Sequence, residues 1–220
     1  MFNIAIDGPA GAGKSSIAKA ASAELGFLYV DTGALYRTVA LGALKQGLTP
    51  EDKEQIIALL PDLDVTMKFV DGEQRVFLNG EDVSEDIRLP EVSWAASTVS
   101  AIPEVRTFLF DLQQSMAREN NVLMDGRDIG TVVLPDAQLK IFLTATPEER
   151  ARRRYEQLKD KDGITYEEVL ADLNKRDYQD THRDVAPLRQ AEDAVLLDTT
   201  DMSFDEVVEA IITLAKERFS

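Results

Sequence analysis

The sequence contains no cysteine. That removes disulfides, thiolate metal sites and cysteine nucleophiles together, and it fits a reducing cytoplasm. It has a single histidine, His182. A Ser-His-Asp triad or a multi-histidine metal site would have to be built on that one residue, within a strongly charged segment. No apolar run is long enough to cross a bilayer, and the N-terminus lacks the basic stretch and apolar core of a signal peptide. A cytoplasmic chain with no membrane partner is expected. Cations are scarce: 24 lysines and arginines against 40 aspartates and glutamates give a formal net charge of −16. Such a chain repels a nucleic-acid backbone, so no nucleic-acid partner is expected, while a local basic pocket stays possible. Internal repeats, low-complexity tracts and flexible linkers are absent. What is there is 220 residues, 44% of them hydrophobic. That suits one α/β domain, which at this size buries roughly 70% of its unfolded surface.

The most informative segment is Gly8-Pro9-Ala10-Gly11-Ala12-Gly13-Lys14-Ser15, which matches the phosphate-cradling pattern G-x-x-x-x-G-K-[ST]. The short apolar run from Phe2 to Asp7 precedes it as a buried strand, and Ile17, Ala18, Ala21 and Leu25 follow at helical spacing. A strand feeding a glycine turn that opens a helix aims backbone N–H groups and the positive helix end at one point. Lys14 can then reach β- and γ-phosphates, and the Ser15 hydroxyl can hold Mg²⁺.

Five apolar runs read as strands: Ile4 to Asp7, Leu28 to Asp31, Val122 to Asp125, Leu139 to Ala145 and Val195 to Asp198. Helical patterns separate them, so the fold class expected is α/β with a parallel sheet covered on both faces. Thr146-Pro147-Glu148-Glu149, Thr165 to Glu168 and Ser203 to Glu206 carry the capping-box spacing of helix starts. Val207, Val208, Ile211, Leu214 and Ala215 form the core stripe of a last helix. One stretch breaks the alternation. Asp71-Gly72 and Asn79-Gly80 flank alternating runs and predict a small antiparallel hairpin or three-stranded sheet at about 63–84, extended by helices to about 119.

Asp125 ends a buried strand, at the sheet edge where ligands bind in open α/β folds. Two readings stand for it: orienting Mg²⁺ beside the phosphate loop, or capping the turn at Asp125-Gly126. Arg37, Arg106, Arg127, Arg176 and Arg183 sit near element ends, and Arg150, Arg152, Arg153 and Arg154 open one helix. An arginine fork grips a phosphate at two points. The run from Arg150 divides between a phosphate contact and a solvated face paired with Glu148, Glu149 and Glu156, and not all four can point one way. Asn174-Lys175-Arg176-Asp177 fits a guanine-binding motif in letters, but helical spacing before it rules out the strand context. Asp160-Lys161-Asp162-Gly163 hints at a calcium loop, but Leu158 occupies the first ligand position.

Taken together these residues resemble the bacterial cytidylate, or (d)CMP, kinases, nucleoside monophosphate kinases of the P-loop class, over about residues 2–219. The motifs are Gly8 to Ser16, Asp31-Thr32-Gly33-Ala34-Leu35-Tyr36-Arg37, Asp125-Gly126-Arg127-Asp128-Ile129-Gly130-Thr131, Arg176-Asp177-Tyr178-Gln179-Asp180 and Arg183-Asp184-Val185-Ala186-Pro187-Leu188. Thr32 stands where relatives often have serine, which keeps the hydroxyl. The resemblance implies a five-stranded P-loop kinase core at about 1–60 and 120–220. It also implies an inserted antiparallel-β and helical NMP-binding lobe at about 61–119 and a helical lid at about 150–165. It implies phosphoryl transfer from ATP to CMP or dCMP with Mg²⁺, by a cytoplasmic monomer. Gly8, Pro9, Ala10, Gly11, Ala12, Gly13, Lys14, Ser15 and Ser16 would hold ATP. Tyr36, Arg37, Arg127 and Arg183 would surround the acceptor phosphate, and Thr32 would also bind the acceptor. Arg176 and Asp180 would hold the sugar, and Ser97, Arg106 and Asp128 would read the cytosine. Lys14, Asp125, Arg127 and Arg183 would carry the catalytic work. The nearest rivals are a P-loop kinase for UMP or a non-nucleotide, a GTP-hydrolysing switch and a non-catalytic adaptor.

Overall fold

The computed structural model describes residues 1–70, 73–159 and 163–218. In chain order its elements are β1 (Asn3–Asp7), α1 (Lys14–Leu25), β2 (Leu28–Asp31), α2 (Thr32–Lys45) and α3 (Lys53–Leu59). Next come β3 (Val65–Val70), β4 (Glu73–Leu78), β5 (Glu81–Asp82), α4 (Pro90–Val99) and α5 (Pro103–Glu119). The chain ends with β6 (Val122–Gly126), β7 (Leu139–Thr144), α6 (Pro147–Leu158), α7 (Tyr166–His182), β8 (Val195–Asp198) and α8 (Phe204–Arg218). Two compact units result: Met1–Tyr29 with Asn120–Ser220, and Val30–Glu119.

The larger sheet is five-stranded and parallel, in the order β2-β6-β1-β7-β8. The expected P-loop α/β core is therefore present. β7 stops at Thr144 rather than at the expected Ala145, and the Ala145 carbonyl accepts instead from Arg150. Apolar residues of β1, β6 and β7 pack with α1 and α8 around Ile4, Ile6, Ile17, Leu123, Ile141 and Leu143. The stripe expected on the last helix faces this core through Val207, Val208, Ile211 and Ala215. Each buried valine, leucine or isoleucine among them contributes about 1.5–3 kcal/mol by leaving water.

The second unit has its own core, in which Leu35 and Val39 of α2 meet Ile56, Val76, Leu78, Val92 and Leu109. Its sheet is β3-β4-β5, antiparallel throughout, as the alternating runs predict. The Asn79-Gly80 turn between β4 and β5 has positive φ at both positions, the geometry for which those two residues are chosen. The Asp71-Gly72 turn lies outside the described residues, as do Asp160, Lys161 and Asp162 and part of the expected lid.

The helix starts follow the capping signals with one exception. Thr165 and Glu168 form a reciprocal box, and Ser203 and Glu206 bond reciprocally too. Thr146 accepts the Glu149 N–H, but the Glu149 carboxylate does not close a box. It is taken by Arg152 and Arg153, both at 2.7 Å, because two guanidinium groups outbid one backbone N–H. Asn174, Lys175, Arg176 and Asp177 lie inside α7, so the guanine-motif reading stays excluded.

Candidate active site

The candidate residues form two sets, one in each unit. In the larger unit β1 delivers the chain to Gly8, where an added Cβ would overlap the Leu143 carbonyl oxygen. Only glycine lets the loop leave the sheet there. Gly13 is left-handed at φ 84° and caps α1, whose first residue is Lys14. The first turn of α1 therefore presents its N–H groups toward the loop it closes. Lys14 Nζ donates to the Pro9 carbonyl at 2.8 Å. Burial, and then the positive charge of Arg127, pushes the Lys14 ammonium down to about 7. An arriving polyphosphate would reverse that balance.

The loop is also gripped from outside. Asp177 of α7 accepts the Ala10 N–H at 3.3 Å, and Arg150 of α6 donates to the Ala10 carbonyl at 2.7 Å. Arg150 and Asp177 pair with each other at 2.7 Å. Ala10 itself joins Ala151, Val169 and Leu173 in a small apolar cluster. These contacts place Arg150 on the loop and give partners to the rest of the arginine run. Arg150 is buried and structural. Arg152 is spent on Glu149, and Arg153 on Glu149 and Thr199. Arg154 bonds Gln157. The Arg152 hydrogen bond leads in holding the Glu149 carboxyl down to about 2.

Asp125, at the end of β6, accepts the Ser15 hydroxyl at 2.9 Å and the Tyr29 hydroxyl at 3.1 Å. A buried carboxylate against the loop hydroxyl is the hard-oxygen pair that suits Mg²⁺. Two residues on, Arg127 Nε donates to Asp180 at 2.7 Å. Burial alone would raise the Asp180 carboxyl, but the charge and hydrogen bond of Arg127, with the charges of Arg183 and Arg176, together hold it below its ordinary value. Arg176 is pushed down by burial and by the Arg127 charge. Arg183 Nη2 reaches the Asp128 carboxylate at 3.4 Å, while its Nε holds the Ala186 carbonyl. Lys14, Arg127, Asp128, Arg176, Asp180 and Arg183 are thus all in the unit that carries the glycine loop.

The smaller unit carries Thr32, Tyr36, Arg37, Ser97 and Arg106. Asp31 caps α2 by accepting the Ala34 N–H and pairs with Arg37 at 2.7 Å. Arg37 Nε is buried with no hydrogen-bond partner among the described residues. The Arg106 guanidinium lies 5.4 Å from the centre of the Tyr36 ring, a cation–π arrangement. Arg106 also donates to the Ser100 carbonyl, and the Ser100 hydroxyl donates to the Ser97 carbonyl. Thr32 is buried at the first position of α2.

Sequence reasoning passed over Asp7, Tyr29 and Asp177 and left Arg150 undecided. Asp7 is nearly fully buried and accepts the N–H groups of Ile129 and Gly130. Burial pushes its carboxyl up to about 6, against the lowering effect of those two bonds. The signal that found Asp125, an acid ending an apolar strand, applied equally to Asp7. Tyr29 and Asp177 carried no comparable signal. Among the described residues no helix is long and apolar enough to cross a membrane, and no cluster of three or more acidic, histidine or cysteine side chains could hold a metal unaided.

Comparison with known proteins shows the family of the chain. The family model described as cytidylate kinase matches residues 4–217. A cytidylate kinase of Caldicellulosiruptor bescii is 54% identical over 214 residues, covering 97% of this chain and 95% of that protein. A cytidylate kinase of Caldanaerobacter subterraneus subsp. tengcongensis is 56% identical over 209 residues, covering 94% and 92%. Among solved structures, an uncharacterized protein of Eubacterium ventriosum superposes with a TM-score of 0.53 at 13% identity, over 98% of this chain and 99% of that one. That last likeness concerns the fold alone.

Proposed function

The chain belongs to the cytidylate kinase family, and we infer that it transfers the γ-phosphoryl group of ATP to CMP or dCMP, giving ADP and CDP or dCDP. One observation carries this most directly. A chain of net charge −16 gathers Lys14, Arg127, Arg176 and Arg183 in the unit that holds the glycine loop, with Arg127 paired to Asp180 and Arg183 to Asp128. Such a set is suited to two polyanions.

The nucleophile would be an oxygen of the acceptor phosphate, attacking the γ-phosphorus while the bond to the β-phosphate oxygen breaks. That oxygen is already largely deprotonated at neutral pH, so no strong general base is needed, consistent with one histidine. Catalysis reduces to positioning and charge neutralisation. We assign Gly8 to Ser16 to ATP, Tyr36, Arg37, Arg127 and Arg183 to the acceptor phosphate, and Thr32 to the acceptor. The buried, unpartnered Nε of Arg37 supports its place there. Arg176 and Asp180 would hold the sugar. Ser97, Arg106 and Asp128 would read cytosine, whose amino group donates to a carboxylate where the uracil carbonyl would be repelled. Ser15 and Asp125 would hold Mg²⁺, whose charge offsets that of the phosphates when bound. The segments at about 61–119 and 150–165 would serve as acceptor lobe and lid, keeping water from ATP. A monomer in the cytoplasm, without nucleic-acid or membrane partners, completes the reading.

ADP release measured with Mg-ATP and CMP, dCMP, UMP and AMP, on the wild type and Asp128→Ala, tests it. The wild type should prefer the two cytidine acceptors. Asp128→Ala should lower the CMP-over-UMP ratio in kcat/KM by about tenfold or more, the scale of one lost base-edge contact, and leave the KM for ATP within about twofold. An unchanged ratio would remove Asp128 from base reading. Absence of ADP release with every acceptor would sink the kinase assignment.

A further inference from the structure

Asp7 is the last residue of β1, one step before the glycine loop. Its position suggests service to ATP, but its carboxylate bonds run elsewhere. The two oxygens accept the N–H of Ile129 at 2.8 Å and of Gly130 at 2.7 Å. These residues open a five-residue π-helical turn, Ile129–Val133, whose preceding residue is Asp128. Opening N–H groups of a helical turn have no partner within it, and a carboxylate can satisfy two at once where a hydroxyl or amide oxygen offers one atom. The other side of the turn is closed by Asp128 itself, whose carbonyl accepts from Val132 and Val133 at 2.9 and 3.2 Å.

The sheet explains why Asp7 reaches this turn. β1 and β6 run parallel with Asp7 opposite Gly126, so the chain leaving β6 turns at Arg127 and Asp128 and returns over the end of β1. Gly130 leaves the approach open: a Cβ there would lie 3.3 Å from Asp7 Oδ2 and 3.2 Å from Lys140 Cδ. Lys140 is itself paired with Asp193 at 2.9 Å. A carboxylate buried in apolar surroundings is costly to the fold. Here it fixes the backbone immediately after the step that carries Arg127 and Asp128.

We propose that Asp7 is a positioning residue for acceptor selection: by holding the Ile129 and Gly130 N–H groups it sets the direction of the Asp128 carboxylate, and with it the preference for cytosine over uracil. The proposal rests on the base-reading role given to Asp128 above.

Asp7→Asn keeps the side-chain volume but offers one acceptor oxygen and sets an NH₂ group against the second N–H. The CMP-over-UMP ratio should fall at least about fivefold, a fraction of what a lost hydrogen bond to a charged group is worth. The KM for CMP should rise while the KM for ATP stays within about twofold. Both acceptors carry the same phosphate, so the ratio cancels changes in phosphate binding and overall stability. Gly130→Ala provides a second test with the Asp7 charge intact, because its Cβ must push the carboxylate by a few tenths of an ångström. It should lower the same ratio by a smaller factor, and it decides alone if Asp7→Asn does not fold. A folded Asp7→Asn that lowers use of ATP, CMP and UMP together with the ratio unchanged would overturn the proposal, as would a Gly130→Ala variant with the wild-type ratio if it decides alone. Asp128→Ala separates the two levels. If it shifts the ratio and the Asp7 and Gly130 variants do not, the positioning role fails and the base-reading role stands. If Asp128→Ala also leaves the ratio unchanged, the base-reading role fails first.

Discussion

Lys14→Met should lower kcat by at least about a thousandfold, roughly 4 kcal/mol of barrier, while the protein stays folded. The lysine is the cation placed by the first turn of α1, and its ammonium now rests on the Pro9 carbonyl. Burial works against that ammonium strongly enough to bring it down to about 7. The fold therefore tolerates the charge rather than needing it, and methionine fills nearly the same volume without the desolvation cost. The expected signature is a collapse in turnover with a thermal midpoint no lower than wild type. Single-turnover kinetics and calorimetry on one preparation check both halves. Turnover within about tenfold of wild type would show that phosphoryl transfer does not pass this loop.

Arg127→Ala should cost a few kcal/mol in kcat/KM for CMP, on the order of a hundredfold, with a smaller change in the KM for ATP. Arg127 follows Asp125 by two residues and is fixed by Asp180 through Nε and by the Gly126 carbonyl through Nη1. Its removal has a second consequence. The buried Asp180 carboxylate loses its hydrogen-bonded cation and keeps only the charges of Arg183 and Arg176, so the variant should also be less stable. Adding Asp180→Asn should recover much of that stability, while use of CMP stays low because the Arg127 contact and the sugar contact of Asp180 are then both lost. Stability and activity recovering together would mean that Arg127 acts only through the fold.

The parts of the site legible in the sequence are those written in consecutive residues. Gly8 to Ser15 carry their strand, turn and helix start within one short stretch, and Asp125 announces itself by ending Val122-Leu123-Met124. Thr165 with Glu168 and Ser203 with Glu206 are equally local, and both caps formed. What the sequence did not disclose depends on partners far along the chain. Arg150 could be separated from Arg152 and Arg153 by helical angle, but which face turns inward is decided by Asp177 and by the carbonyl of Ala10. The Thr146 cap stayed half-formed because Glu149 lies within reach of two arginines, a competition invisible to a four-residue pattern. Asp7 has the same strand-end signal as Asp125, but the groups it serves lie far along the chain. Its targets, Ile129 and Gly130, become neighbours only once β1 and β6 pair.

The account turns on where the γ-phosphoryl group goes. Incubation of the enzyme with Mg²⁺, γ-labelled ATP and CMP, followed by separation of the products, should place the label in CDP, with little in inorganic phosphate. Lys14→Met should give neither product above background. Label that appears only as inorganic phosphate, at the same rate with CMP present or absent, would contradict the account.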